Sequence, residues 1–254
     1  NDIGGLDVLK DYLLNKSRVI ADLPKAIDFG VSIPKGVFIV GMPGCGKSLC
    51  AKASAALFNT PLLKLDMGSM MGKYVGESEG NLRKAIKIAE AAAPCVLWID
   101  EIEKAFSGVD GNNDIMTRMF GYFLSWMQEK KSCVYVIATA NKIKDLPLEL
   151  KRKGRFDEIF CVNLPNKEER KKIFKIHIGK KNKSLDEAAL NSVCQITEGF
   201  NGADIESVVN EAMEKCFIDS LDNKGTAFDG KLFKDIASKT ISISESDKQQ
   251  IENM

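Results

Sequence analysis

One histidine, no two cysteines at CxxC spacing and no apolar run near the ~20 residues that cross a bilayer: the 254-residue sequence lacks the parts that several protein classes require. His177 alone leaves nothing to assemble a zinc site or a serine triad, and no HExxH occurs. The seven cysteines, Cys45, Cys50, Cys95, Cys133, Cys161, Cys194 and Cys216, are odd in number and sit mostly inside apolar runs. They read as buried free thiols of a reducing compartment. An excess of one charge is also missing. Thirty-six basic against thirty-five acidic residues give +1, which removes the composition argument for a nucleic-acid or anionic-membrane partner. Neither a basic n-region nor an apolar h-region opens the chain, so it reads as soluble and unexported. It starts at NDIGGL and stops in SESDKQQIENM, a stretch with the look of a further helix, and a fragment of a longer protein is expected.

What is present is ample for a core. Hydrophobic residues make up 44% of the chain, enough for a large domain with a smaller satellite. The runs VFIV (37–40), LLKLD (62–66), CVLWID (95–100), VYVIATA (134–140) and EIFCVNL (158–164) are nearly continuous in apolar character, the pattern of parallel strands covered on both faces. Helix-period segments at about 47–58, 77–91 and 114–129 alternate with them. In the second, Leu82, Ala85, Ile86 and Ala89 make one stripe. Strand-helix alternation of this kind predicts an α/β, doubly wound parallel sheet of five strands.

After Pro165 the strand signals stop. Asn166 with Glu169 reads as a helix-start box, opening a helix to about 180. Further helices are predicted at 186–195, from Asn201 and near 229–239. The one from Asn201 carries Ile205, Val208, Val209, Ala212, Met213, Cys216 and Phe217 at helical spacing. The boundaries predicted are 1–165 for the α/β domain and 166–254 for a small all-helical one.

Between the first strand and its helix lies GMPGCGKS, residues 41–48, which fits G-x-x-x-x-G-K-[ST]. Glycines let backbone N–H groups curl around phosphates, the helix N-terminus adds its dipole, Lys47 reaches the outer phosphates and the Ser48 hydroxyl can ligate Mg²⁺. A nucleotide with Mg²⁺ is the expected cofactor, held by the loop residues Pro43, Gly44, Cys45 and Gly46, by Lys47 and Ser48, and by Leu49 beyond them. Turnover needs a metal ligand and a group that orients water. CVLWIDE offers both at the end of a buried strand: Asp100, with Ser48, for the metal, and Glu101 to activate water. Asn141, ending VYVIATAN, is a third polar residue at a strand's C-terminal edge, where open α/β sheets bind ligands; a plain turn former is its other reading. The cation that neutralises a transferring phosphate could come from KRKGRFDE, through Arg152 and Arg155, but a basic turn is also ordinary solvated surface.

The ordered motifs DIGG, GMPGCGKS, KYVGESEGNLR, CVLWIDE, IATAN, RKGRFDE and NGADIE resemble those of the AAA ATPases of the meiotic clade, and the resemblance covers essentially the whole chain. Within that group, WMQEKKSCVYVIATANKIKDLPLELKRKGRFDEIF is most similar to the stand-alone AAA proteins of cyanobacteria and plastid genomes. The resemblance implies a P-loop NTPase sheet of AAA type followed by a helical lid. It implies that Asp2, Ile3 and Gly4 border the adenine with Ile173 and His177 of the lid, and that Gly202 and Ala203 stand at the lid's sensor position. It implies Lys47, Asp100, Glu101 and Asn141 in catalysis, and Arg152 and Arg155 as fingers reaching a neighbouring subunit's site in a homo-oligomer, a hexamer. Lys73, Tyr74, Val75 and Gly76 match the pore loop that grips a polypeptide client, although a surface tyrosine in a Gly-bounded loop is the plainer reading. The function so implied is an ATP-hydrolysing ring that remodels proteins, in the cytoplasm or, if plastid-encoded, the stroma. The alternatives are an ATP-gated assembly or scaffold module without unfolding activity and, less in keeping with the charge, a nucleic-acid motor.

Overall fold

A computed structural model of the chain describes residues 4–66, 77–105, 114–141, 148–222 and 225–242. These divide into two compact units: those within Asp7–Gly41 and Lys47–Val162, and those within Asn1–Leu6, Met42–Gly46 and Asn163–Met254.

In the first unit the strands are β1 (Gly36–Gly41), β2 (Leu62–Leu65), β3 (Cys95–Ile99), β4 (Val134–Ala140) and β5 (Glu158–Val162). All pair in parallel, in the order β2-β3-β4-β1-β5. Each apolar run of the sequence has become a strand, but the coverage of the two outer ones differs from expectation. β1, β3 and β4 are buried almost throughout, whereas the flanking β2 and β5 carry half-buried and exposed residues, Cys161 among them. They are edges, with a neighbour on one side only, and strand order is not written in local composition.

The sheet is covered on one face by the helices Glu77–Ala91 and Asp114–Glu129, whose Leu82, Ile86, Ala89, Met119, Phe123 and Met127 pack on Phe38, Leu97, Val136 and Ala138. Every second residue of β4 faces away from this cluster. Tyr135, on that other face, meets Phe58 of the helix Lys47–Phe58 edge to face at 5.1 Å. The helix Asp7–Ala21, with Leu9, Leu13 and Ile20 buried, and the short helix Leu23–Asp28 were not anticipated from the sequence.

The second unit holds the helices Lys167–Gly179, Glu187–Ile196, Gly202–Leu221 and Gly230–Ala237 around Phe174, Val193, Ile205, Val208, Val209 and Phe233. Asn166 caps the first as expected: its side chain accepts from the N–H of Glu169, whose carboxylate accepts from the N–H of Asn166. Asn201 and Asp204 repeat the reciprocal box. The predicted apolar stripe of this helix stops short. Ile205, Val208, Val209 and Ala212 are buried, but Phe217 is 63% exposed, because the helix outlasts the partners that cover it among the described residues.

Candidate nucleotide site

Parallel strands place all their C-terminal ends on one side, and the order β3-β4-β1 sets three of those ends next to one another. From β1 the chain passes through the glycine-rich loop into the helix that begins at Lys47, as the sequence motif requires. Asp100 and Glu101 follow β3, and Asn141 follows β4. β4 pairs with both β1 and β3, so Asn141 stands between the other two groups.

The contacts follow from that placement. Lys47 is buried to 7% exposure, and its Nζ donates to the Gly41 carbonyl at 2.6 Å and to Asn141 Oδ1 at 3.0 Å. Asn141 Nδ2 donates in turn to Glu101 Oε1 at 3.0 Å. One amide therefore joins the ammonium of the phosphate-binding motif to the carboxylate of the strand-end pair. The Ser48 hydroxyl lies 3.4 Å from Asp100 Oδ1, while Lys64 Nζ, seated over the Trp98 ring, is 4.0 Å from Asp100 Oδ2. A hydroxyl and a carboxylate at that spacing are the hard oxygen donors that Mg²⁺ takes alongside water and phosphate oxygens, so the residues fit the ion.

Two residues of this cluster were missed in the sequence. Glu103, on the short helix Ile102–Ala105, accepts the backbone N–H of Asn141 at 2.9 Å through Oε1. Thr139, wholly buried near the end of β4, donates its hydroxyl to Asp100 Oδ1 at 2.6 Å and accepts from the Glu101 N–H at 3.1 Å. The available signals were a threonine near the end of a largely apolar strand and a second carboxylate two residues beyond Glu101.

Arg152 and Arg155 are held elsewhere. Arg152 pairs with the Glu149 carboxylate at 3.9 Å with its side chain 69% exposed, and Arg155 donates to the Glu149 carbonyl. Neither of these partners belongs to the Lys47 cluster.

Within the helical unit the structure joins further predicted residues. A Cβ on Gly4 would come within 2.5 Å of the Ile173 side chain, so the backbone of Gly4 lies directly on Ile173. Gly44, at φ +76°, abuts Asn201, whose Nδ2 donates to the Pro43 carbonyl at 3.2 Å; the Gly202 N–H donates to the Gly44 carbonyl at 3.0 Å. Ala203 is exposed, Cys45 is half-buried and Leu49 is at the surface. His177 Nδ1 lies 3.8 Å from Glu206 Oε1; burial pulls its pKa below the usual imidazole value, with Lys180 and Lys181 adding to the shift and Glu206 opposing it. Asp2 and Ile3, and the loop residues Lys73, Tyr74, Val75 and Gly76, lie outside the described residues. Among the described residues no three His, Cys, Asp or Glu side chains gather into a metal site of their own, and no helix is long and apolar enough to cross a membrane.

Comparison with known proteins decides the family. Residues 37–164 match the model of the "ATPase family associated with various cellular activities (AAA)", and residues 187–227 match that of the AAA+ lid domain. The chain belongs to the AAA ATPase family. This AAA chain is 44% identical over 256 residues to the AAA domain-containing protein ycf46 of Pyropia yezoensis, covering 100% of itself and 51% of that protein. It is 49% identical over 220 residues to the ycf46 protein of Guillardia theta, covering 85% and 43%. The ATP-dependent zinc metalloprotease FtsH of Cyanidium caldarium is 35% identical over 217 residues, with 83% and 35% covered. The chain thus spans about half the length of the ycf46 proteins it matches.

Proposed function

We propose that this AAA chain binds Mg-ATP and hydrolyses it to ADP and phosphate, with Lys47 on the outer phosphates, Ser48 and Asp100 holding the metal, Glu101 activating water and Asn141 sensing the γ-phosphate. The observation that carries the reading is the relay Lys47–Asn141–Glu101, with Ser48 and Asp100 beside it. Mg²⁺, when bound, neutralises phosphate charge in the transition state; the protein's part is to hold Glu101 and Asn141 where water and phosphate meet. Phosphate release by the wild type, abolished in Lys47→Ala and in Glu101→Gln with Glu101→Gln still binding ATP, tests it. Turnover in Glu101→Gln at the wild-type rate would refute the assignment.

We further propose that the chain works as a ring, a hexamer, in which Arg152 and Arg155 complete a neighbour's site, and that it remodels polypeptide clients gripped at Tyr74. Support comes from the family and from the exposed placement of Arg152, whose only ion pair among the described residues is a surface contact with Glu149, of the kind worth little to stability. The ATP dependence in the FtsH name favours the same direction, while the zinc chemistry in that name has no counterpart in a chain with one histidine and no HExxH. The compartment proposed is the cytoplasm or a plastid stroma. Mixing Arg155→Ala with Lys47→Ala subunits should restore part of the turnover if sites are shared. Tyr74→Ala should keep ATPase activity and lose unfolding of a tagged client; an ATP-gated assembly module would tolerate that change.

A further inference from the structure

Asp100 and Glu101 are consecutive, and consecutive residues of an extended strand point to opposite faces. Asp100 shares the face of β3 that carries Trp98 and meets Ser48, so an uninterrupted strand would send Glu101 to the face packed by the helices Glu77–Ala91 and Asp114–Glu129. Instead Glu101 adopts φ +48°, a left-handed conformation that side chains other than glycine rarely take, and its carboxylate turns to Asn141. Such a kink persists only where the surroundings over-determine it.

Thr139 supplies that determination. Continuing the β3–β4 register one step past Ile99↔Ala138 sets Thr139 beside Asp100, on the β4 face opposite Val136 and Ala138. Its single hydroxyl, 0% exposed, is used twice: its hydrogen is given to Asp100 Oδ1 at 2.6 Å, and its oxygen accepts the N–H of the kinked Glu101 at 3.1 Å. The hydroxyl thus fixes the direction of one carboxylate through its side chain and of the next through its backbone. Ala140, the following residue of β4, has no hydroxyl to offer in its place.

We infer that Thr139 is a positioning residue for ATP turnover, setting Asp100 toward the metal and holding the left-handed turn that presents Glu101 to Asn141; the inference rests on the ATPase reading above. Thr139→Val keeps the shape and removes the hydroxyl, Thr139→Ala removes it without a methyl group facing Asp100, and Thr139→Ser keeps it. Three readouts on the purified chain are kcat and KM for ATP, the Mg²⁺ concentration at half-maximal rate, and binding of ATP in Mg²⁺ compared with EDTA. In the Val and Ala variants kcat should fall about tenfold to a hundredfold, the size of one charge-assisted hydrogen bond. The half-saturating Mg²⁺ should rise and the gain in ATP affinity given by Mg²⁺ should shrink, while KM moves little and binding in EDTA stays at the wild-type level. Thr139→Ser should restore all three.

Wild-type turnover and Mg²⁺ dependence in both Val and Ala, or a Ser variant as impaired as they are, would overturn the inference; should Val fail to fold, Ala decides. Absence of turnover in the wild type would instead count against the ATPase reading. The Mg²⁺-linked binding difference would still decide the role of Thr139.

Discussion

Removing the Glu103 side chain isolates one contact on which the relay depends. Glu103 Oε1 receives the backbone N–H of Asn141 at 2.9 Å, and Asn141 is the residue whose two amide atoms meet Lys47 and Glu101, each at 3.0 Å. A hydrogen bond to an ionised acceptor contributes about 1.5–3 kcal/mol. If Glu103→Ala forfeits that in holding Asn141 for the transition state, kcat/KM falls by roughly 10- to 150-fold, at about 1.4 kcal/mol per factor of ten. ATP binding should change by no more than about threefold, since Lys47 keeps its bond to the Gly41 carbonyl. Glu103→Gln should fall between wild type and Ala. Its amide oxygen can replace Oε1 as a neutral acceptor, a bond of about 0.5–1.5 kcal/mol, while its NH₂ group takes the place of the buried Oε2, which has no hydrogen-bond partner among the described residues. The assay is steady-state phosphate release beside fluorescent-nucleotide binding, with Asn141→Ala as reference. Turnover of Glu103→Ala within about threefold of wild type, with Asn141→Ala strongly impaired, would refute the view that this carboxylate sets the position of Asn141.

Other consequences concern the fold. Gly36 has φ +149°, and a Cβ there would lie 2.1 Å from the Val136 carbonyl oxygen inside the sheet, so Gly36→Ala should abolish cooperative folding; Gly121→Ala, in a helix with open space around it, should raise stability by about 0.5–1 kcal/mol, both read by thermal unfolding. Asn201→Ala removes the acceptor for the Asp204 N–H and the donor to the Pro43 carbonyl, and should cost about 1–2 kcal/mol in denaturant titration, partly recovered by Asn201→Ser through the cap alone. His177 has a folded pKa below its usual value, so as pH falls below about 6.5 the unfolded chain takes up the proton first and stability drops. Between pH 7.5 and 5.5 the Tm of His177→Gln should fall less than that of the wild type; equal falls would show that the half-buried imidazole is not the group responsible.

What the sequence makes legible is whatever is local. Five apolar runs bounded by Gly, Pro and Asp became the five strands, and the Asn166–Glu169 box opens its helix because both halves of the signal lie within one turn. The helix Asp7–Ala21 escaped because only Leu9, Leu13 and Ile20 are buried in it, while Val8 and Leu14 at its surface break the stripe. Phe217 misled in the opposite sense. Helical periodicity says which residues share a face, not how far along the helix a neighbour extends to cover them.

The site divides along the same line. Of the proposed site residues, Lys47 and Ser48 could be named because they open the helix after the β1 loop, and Asp100, Glu101 and Asn141 because they follow strands, each in a recognisable motif. Thr139 and Glu103 could not, because their importance is created by register and by a kink. Thr139 matters only once β4 is known to lie beside β3, which puts its hydroxyl next to Asp100, and once Glu101 is known to turn left-handed, which brings its N–H to that hydroxyl. Glu103 matters only because the turn after Glu101 swings the short helix back toward the end of β4. In the order β2-β3-β4-β1-β5, β4 alone touches both motif-bearing strands, so polar residues at its end can serve both at once. Asp66, following the edge strand β2, has a single neighbouring strand, β3, and the same placement is closed to it. Which polar residue near a strand end belongs to the site is therefore settled by the strand's neighbours, a property of pairing over a hundred residues of chain.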